Sequence, residues 1–142
     1  MNAKEWEIIE AARDSGLAYA TELWLKNPYM SPAMEQPALR EKLHRLALDN
    51  ARNWLVNPLV ERPLKPPAIE RLHDVSVPTL VIVGDRDVPR MQGIADTLSR
   101  VIPHAERTVI HGAGHIVNME QPVEFNRAVA DFLRRIRERG GL

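Results

Sequence analysis

Apolar residues recur at helical spacing through the first 57 positions of the chain. The spacing predicts one helix over Ala3–Ser15 and a second over Leu17–Lys26, which ends because Pro28 disfavours helical geometry just before it. Little periodicity and several prolines predict an exposed loop from Pro28 to Pro37. A longer helix is predicted over Pro37–Asn57, and its stripe of leucine, alanine and tryptophan is assigned to core packing rather than to a substrate pocket.

The pattern changes after residue 57. Prolines crowd residues 57–67 and predict a stiff, extended connector, followed by a short helix or turn over Ala68–Asp74. Thr79 to Val83 are β-branched or leucine without alternation, which is typical of a strand buried on both faces in a parallel sheet. A helix over Gln92–Ile102 then predicts a crossover to a second strand. That strand is expected over Arg107–Ile110, and a closing helix over Pro122–Arg139.

Composition narrows the class of protein. The chain has 142 residues, 44% of them hydrophobic and 27% charged, which is ordinary for a globular domain. Nineteen basic residues balance nineteen acidic ones, so neither nucleic acid nor an anionic membrane is an expected partner. The absence of cysteine excludes disulfides and thiolate metal sites, and no apolar run reaches the roughly 18 residues of a membrane span. We expect a cytoplasmic protein without a cofactor or metal.

Candidate chemistry lies just after the two predicted strands. Asp85 and Asp87 follow the first, and His115 follows the second after a turn that contains Gly112 and Gly114. Open α/β sheets collect their catalytic groups at the carboxyl ends of parallel strands. Asp87 is therefore a site candidate that we expect to converge with His115, and a histidine placed in this way suggests proton transfer. By itself, His115 could equally be a solvent-facing loop residue.

The order strand, Gly-x-x-Asp, helix, strand, Gly-x-Gly-His and Glu-x-Pro resembles the C-terminal part of an α/β-hydrolase-fold enzyme. The resemblance implies an α/β fold class, a partial α/β-hydrolase fold with two parallel strands, flanking helices and an N-terminal helical cap. Residues 1–57 would form the cap segment, 58–77 a proline-rich connector and 78–142 part of the core. Asp87 would be the triad acid, with Asp85 as the alternative acid, and His115 would be the triad base. The substrate would be a small-molecule ester, lactone or related acyl compound.

The nucleophile of such a triad is missing from the sequence. It should lie in a Gly-x-Ser-x-Gly elbow, and none of the four serines has that frame: Ser15, Ser31, Ser76 and Ser99. The isolated chain is therefore predicted to be inactive, with the nucleophile in a missing N-terminal half. That half, or another copy of the chain, would complete the sheet.

Two other kinds of function stay open. One is a non-catalytic binding or assembly module built on a truncated hydrolase scaffold. The other is acid-base chemistry by His115 and Asp87 without a nucleophile.

Overall fold

The computed structural model describes residues 3–56 and 64–140. By its internal contacts the chain divides into two compact units, residues 1–63 and 64–142. The α-helices and strands, in chain order, are α1 (Ala3–Ser15), α2 (Leu17–Leu25), α3 (Ser31–Met34), α4 (Pro37–Val56), β1 (Leu80–Gly84), α5 (Pro89–Val101), β2 (Glu106–Ile110), α6 (Val117–Glu120) and α7 (Pro122–Glu138). Two 3₁₀ helices span Pro28–Met30 and Ala68–Asp74. None of the described helices combines the length and hydrophobicity needed to cross a lipid bilayer.

The first unit is helical, as predicted. α2 packs against both α1 and α4. Several small and aliphatic side chains of these helices are buried, among them Ala12, Ala20, Leu25, Leu43 and Ala47. The predicted bounds of α1 are confirmed, and those of α2 are confirmed to within one residue. Asn57, the predicted end of α4, and residues 58–63 of the predicted connector lie outside the described residues.

The predicted loop from Pro28 to Pro37 is wrong, because the structure has a 3₁₀ helix and α3 there. Proline fits the first turn of a helix, where its missing N–H would have no partner in any case. Pro28 and Pro32 occupy such first-turn positions. The Asn27 side chain also caps the first of these turns by accepting from the Tyr29 N–H at 3.2 Å.

The second unit contains the predicted strand, helix and strand. β1 and β2 pair in parallel, in a register that runs from Leu80 opposite Glu106 to Gly84 opposite Ile110. α5 is the crossover helix and begins at Pro89, three residues before the predicted start. The carboxyl ends of both strands consequently meet at one edge of the sheet.

Helices cover both faces of this two-stranded sheet. On one face, Val81 and Val83 pack with Ala95 of α5. On the opposite face, Ile110 and residues of the loop after it pack with Ile82 of β1 and Phe125 of α7. The alternation follows from the strand pleat, which sends successive side chains to opposite faces.

Burial in this unit is incomplete. Val81 and Val83 are buried, but Leu80 and Ile82 of the same strand are only half-buried, so the predicted burial on both faces is only partly realised. Among the described residues, no large side chain is fully buried. Several apolar side chains of this unit are exposed instead: Leu64, Ile69, Val77, Ile94, Val101, Val123 and Leu133. The core has the incomplete covering expected of part of a larger fold.

Candidate active site

Asp87 and His115 meet beyond the carboxyl ends of β1 and β2. Oδ2 of Asp87 lies 3.0 Å from Nδ1 of His115, although 28 positions separate the two residues. The Asp87 side chain is 6% exposed, whereas the imidazole is 39% exposed. The structure thus brings together the two residues predicted as an acid and base pair, with the acid buried and the imidazole reachable from solvent.

The Asp87 carboxylate is fixed by its immediate surroundings. The Val88 N–H donates to Oδ1 at 2.7 Å, which leaves Oδ2 directed at His115. The Gln92 side chain, one turn into α5, donates to the Asp87 carbonyl at 2.8 Å and holds the backbone. Because an ionised carboxylate can only accept, the His115 proton is assigned to Nδ1, which donates to Oδ2. Nε2 is then the basic nitrogen of the ring.

Asp85, the alternative acid, pairs with a different histidine. Its Oδ2 lies 2.9 Å from Nδ1 of His111 and its Oδ1 accepts from the Gly112 N–H at 2.8 Å. The hydrogen bond from His111 holds the pKa of Asp85 below its usual value, against the opposing effect of burial, and the Gly112 N–H lowers this pKa further. In the structure, therefore, Asp85 pairs with His111 and does not orient His115.

The loop that carries His115 runs in close contact with the end of β1. The Arg86 N–H donates to the Ala113 carbonyl at 2.9 Å. At Gly84 an added Cβ would overlap the carbonyl oxygens of Ala113 and Gly114. Gly112 turns the chain with φ of 75°, a conformation that side-chain-bearing residues rarely adopt. Glycine at these positions allows the two strand ends to approach closely enough for the pair to form.

Glu120 is a site residue to which the sequence alone assigned no role. It ends α6, a four-residue helix that was not predicted, and it is 4% exposed. Its Oε2 accepts from the Gly114 N–H at 2.7 Å and its Oε1 from the Ile116 N–H at 2.9 Å. Two signals were available in the sequence: Glu120 begins the Glu-x-Pro motif of the family resemblance, and it is a single acidic residue closing the largely apolar run from Ile116 to Met119.

The serines of this unit do not form a nucleophile elbow. Ser76 precedes β1 and is exposed, and Ser99 lies on α5, where its hydroxyl donates to the Asp96 carbonyl at 3.1 Å. Within residues 3–56 and 64–140, no three His, Asp or Glu side chains converge as metal ligands would. The described site therefore contains an acid and a base but no elbow serine.

An open groove of about 500 Å³ lies beside β2 and α7. Its lining includes Ile110, His111, Gln121, Glu124, Arg127 and Arg135. Neither Asp87 nor His115 contributes to it, so the groove is separate from the pair.

Comparison with known proteins supports the fold assignment. No protein-family model matches the chain. It is 30% identical over 141 residues to 3-oxoadipate enol-lactonase 2 of Acinetobacter baylyi, which is 94% of this chain and 50% of that protein. It is 34% identical over 108 residues to 2-hydroxy-6-oxononadienedioate/2-hydroxy-6-oxononatrienedioate hydrolase 1 of Dechloromonas aromatica, covering 70% of this chain and 37% of that protein.

Two solved structures show the same fold. MenH from S. aureus superposes with a TM-score of 0.73 and 20% identity, over 92% of this chain and 50% of that one. Est816, described as an N-acyl homoserine lactone degrading enzyme, superposes with a TM-score of 0.64 and 20% identity, over 93% and 52%. The chain therefore has a partial α/β-hydrolase fold and is similar to α/β-hydrolases, and it spans between 37% and 52% of the length of these four proteins.

Proposed function

We propose that the chain supplies the acid and the base of an α/β-hydrolase that cleaves an ester, lactone or related acyl substrate through a Ser-His-Asp triad. The observation that carries the proposal is the 3.0 Å contact between Asp87 Oδ2 and His115 Nδ1 at the carboxyl ends of two parallel strands. Two curated relatives named as an enol-lactonase and a hydrolase support hydrolytic chemistry.

In this mechanism His115 is the general base. Its Nε2 takes the proton of the serine hydroxyl as the oxygen attacks the acyl carbon. The resulting imidazolium is stabilised by Asp87, whose carboxylate accepts from Nδ1–H and keeps the ring in the required tautomer. His115 then returns the proton to the leaving group, and later activates the water that releases the acyl group.

A lactone or similar small acyl compound is the substrate class that we favour. One relative is named 3-oxoadipate enol-lactonase 2, and one similar structure, Est816, is described as an enzyme that degrades N-acyl homoserine lactones. The fold alone does not define the reaction, because one scaffold supports many chemistries. The substrate class therefore rests on those two names together with the acid and base pair.

The serine and the oxyanion hole would come from an N-terminal half outside this chain. This assignment is supported by the coverage of half or less in each relative and by the lack of an elbow serine in the sequence. Residues 1–57 would be the cap segment, 58–77 the connector and 78–142 part of the core. The missing half, joined to this chain or separate from it, would also cover apolar side chains such as Val77 that are exposed here.

Reconstitution tests the proposal. Hydrolysis of a p-nitrophenyl ester is measured for the chain alone, for a matching N-terminal half with a Gly-x-Ser-x-Gly elbow, and for their mixture. We expect turnover above buffer only in the mixture, since triad members act as a unit. A complex that forms but hydrolyses nothing would instead favour the second candidate, a non-catalytic binding or assembly module, which the missing elbow also fits.

A further inference from the structure

Glu120 is a buried acidic side chain for which the triad mechanism has no use. Only 4% of the residue is exposed. Burying a carboxylate is costly unless hydrogen bonds replace its lost hydration. The Glu120 carboxylate accepts two such hydrogen bonds from backbone N–H groups, at 2.7 and 2.9 Å. An apolar side chain here would leave the Gly114 and Ile116 N–H groups without this acceptor, so the role of the carboxylate lies in these two bonds rather than in packing.

The two N–H groups bracket His115. The Gly114 N–H, one residue before His115, bonds to one carboxylate oxygen, and the Ile116 N–H, one residue after it, bonds to the other. The backbone is therefore held by one carboxylate on both sides of His115. Holding the chain at these two points restricts the backbone that sets the direction of the His115 Cα–Cβ bond. The imidazole then needs only its own side-chain rotation to reach Asp87 at 3.0 Å.

We propose that Glu120 is a positioning residue that holds the backbone on both sides of His115, so that its Nδ1–H stays directed at Asp87. The catalytic value of this role rests on the proposed function, whereas the positioning itself can be measured without any activity. α6 serves to return the chain, so that a side chain five residues after His115 reaches back to the loop.

The role requires two acceptor atoms. A glutamine has nearly the same shape but only one acceptor oxygen, and its amide group would face one of the two N–H donors. Glu120→Gln therefore removes one of the two bonds and puts a repulsive contact in its place. Glu138→Gln is the matched control, because Glu138 is exposed at the end of α7.

The experiment is ¹⁵N NMR of the full chain. In the unmodified chain we expect low-field amide protons for Gly114 and Ile116, together with a slowly exchanging Nδ1–H of His115. In Glu120→Gln we expect the Nδ1–H signal to broaden or vanish and the ring nitrogens to shift towards a mixture of tautomers. Glu138→Gln should match the unmodified chain.

Two results would overturn the proposal. One is a folded Glu120→Gln chain with unchanged His115 ring signals. The other is a finding of ordinary amide proton shifts for Gly114 and Ile116 in the unmodified chain. This second result can be obtained even if Glu120→Gln fails to fold. If Glu120→Gln does not fold, low-field shifts of both amide protons in the unmodified chain support the proposal.

Kinetics of the reconstituted hydrolase separate this proposal from the proposed function. Glu120→Gln should lower kcat by roughly ten- to a hundredfold, the effect of a displacement near 1 Å, while KM changes by less than about twofold. Glu120→Asp, which keeps both acceptors, should recover part of the loss. Altered ring signals in Glu120→Gln alongside a reconstituted complex without any turnover would support positioning and contradict the hydrolase function.

Discussion

Oδ2 of Asp87 lies 3.0 Å from Nδ1 of His115, across 28 positions of the chain. The contact follows from the parallel register, in which Gly84 and Ile110 are partners at the strand ends. Asp87 lies three residues beyond Gly84, and His115 lies five residues beyond Ile110. The topology brings these two short loops to one edge of the sheet, and the glycines let them touch.

The two aspartates after β1 allow a matched test of the triad acid. In the reconstituted hydrolase, Asp87→Asn should lower kcat by about 10⁴-fold, because an amide in place of the carboxylate no longer fixes the His115 tautomer or stabilises its cation. Asp85→Asn makes the same chemical change two residues earlier and should cost less than about tenfold, since Asp85 bonds His111. Ester hydrolysis measures both. Equal losses of kcat in the two variants would contradict the assignment of Asp87, rather than Asp85, as the triad acid.

Gly84 should tolerate no side chain. Gly84→Ala puts a methyl group against the carbonyl oxygens of Ala113 and Gly114, so we expect a loss of about 1–3 kcal/mol in the free energy of unfolding. Gly93→Ala is the control, because a Cβ on this α5 residue meets nothing within 4 Å and alanine favours a helix by about 0.5–1 kcal/mol. Denaturant unfolding compares them. Similar stability of the two variants would contradict the close approach of the loops.

The stability contributed by Asp85 should depend on pH. Its folded-state pKa is lowered by the His111 hydrogen bond, so its contribution is present above the unfolded-state pKa of about 3.9 and is lost as the pH falls through the lower folded value. Asp85→Asn should therefore be less stable than the unmodified chain at pH 6, and the difference should shrink towards pH 3. Thermal unfolding at both values checks this. A stability difference between the two chains that grows on acidification would mean that the pKa of Asp85 is raised, not lowered, in the folded state.

The chain alone should associate in solution. Val77 and Val123 are 64% and 70% exposed, and no large side chain in the described ranges is fully buried. Sedimentation velocity should show concentration-dependent oligomers, which a matching N-terminal half should replace with a single complex. A stable monomer that unfolds cooperatively would mean that the exposed apolar surface needs no partner.

Much of this arrangement could be predicted from the sequence because it depends on periodicity and topology. The apolar runs predicted both strands and the longer helices, and parallel pairing predicted that Asp87 and His115 converge. α6 was missed because a four-residue helix is too short to show a period. The role of Glu120 was missed with it. The choice of His111 rather than His115 as the partner of Asp85 depends on the path of each loop, which periodicity does not encode.

We propose that His115 is the base for a serine that this chain does not supply. The most direct test is p-nitrophenyl ester hydrolysis by the reconstituted complex carrying either His115→Ala or His111→Ala. We expect a loss of roughly 10⁶-fold in kcat for His115→Ala and of less than about tenfold for His111→Ala, whose ring is 87% exposed and bonded to Asp85. Equal hydrolysis by the complexes carrying His115→Ala and His111→Ala would contradict the assignment of His115 as the base.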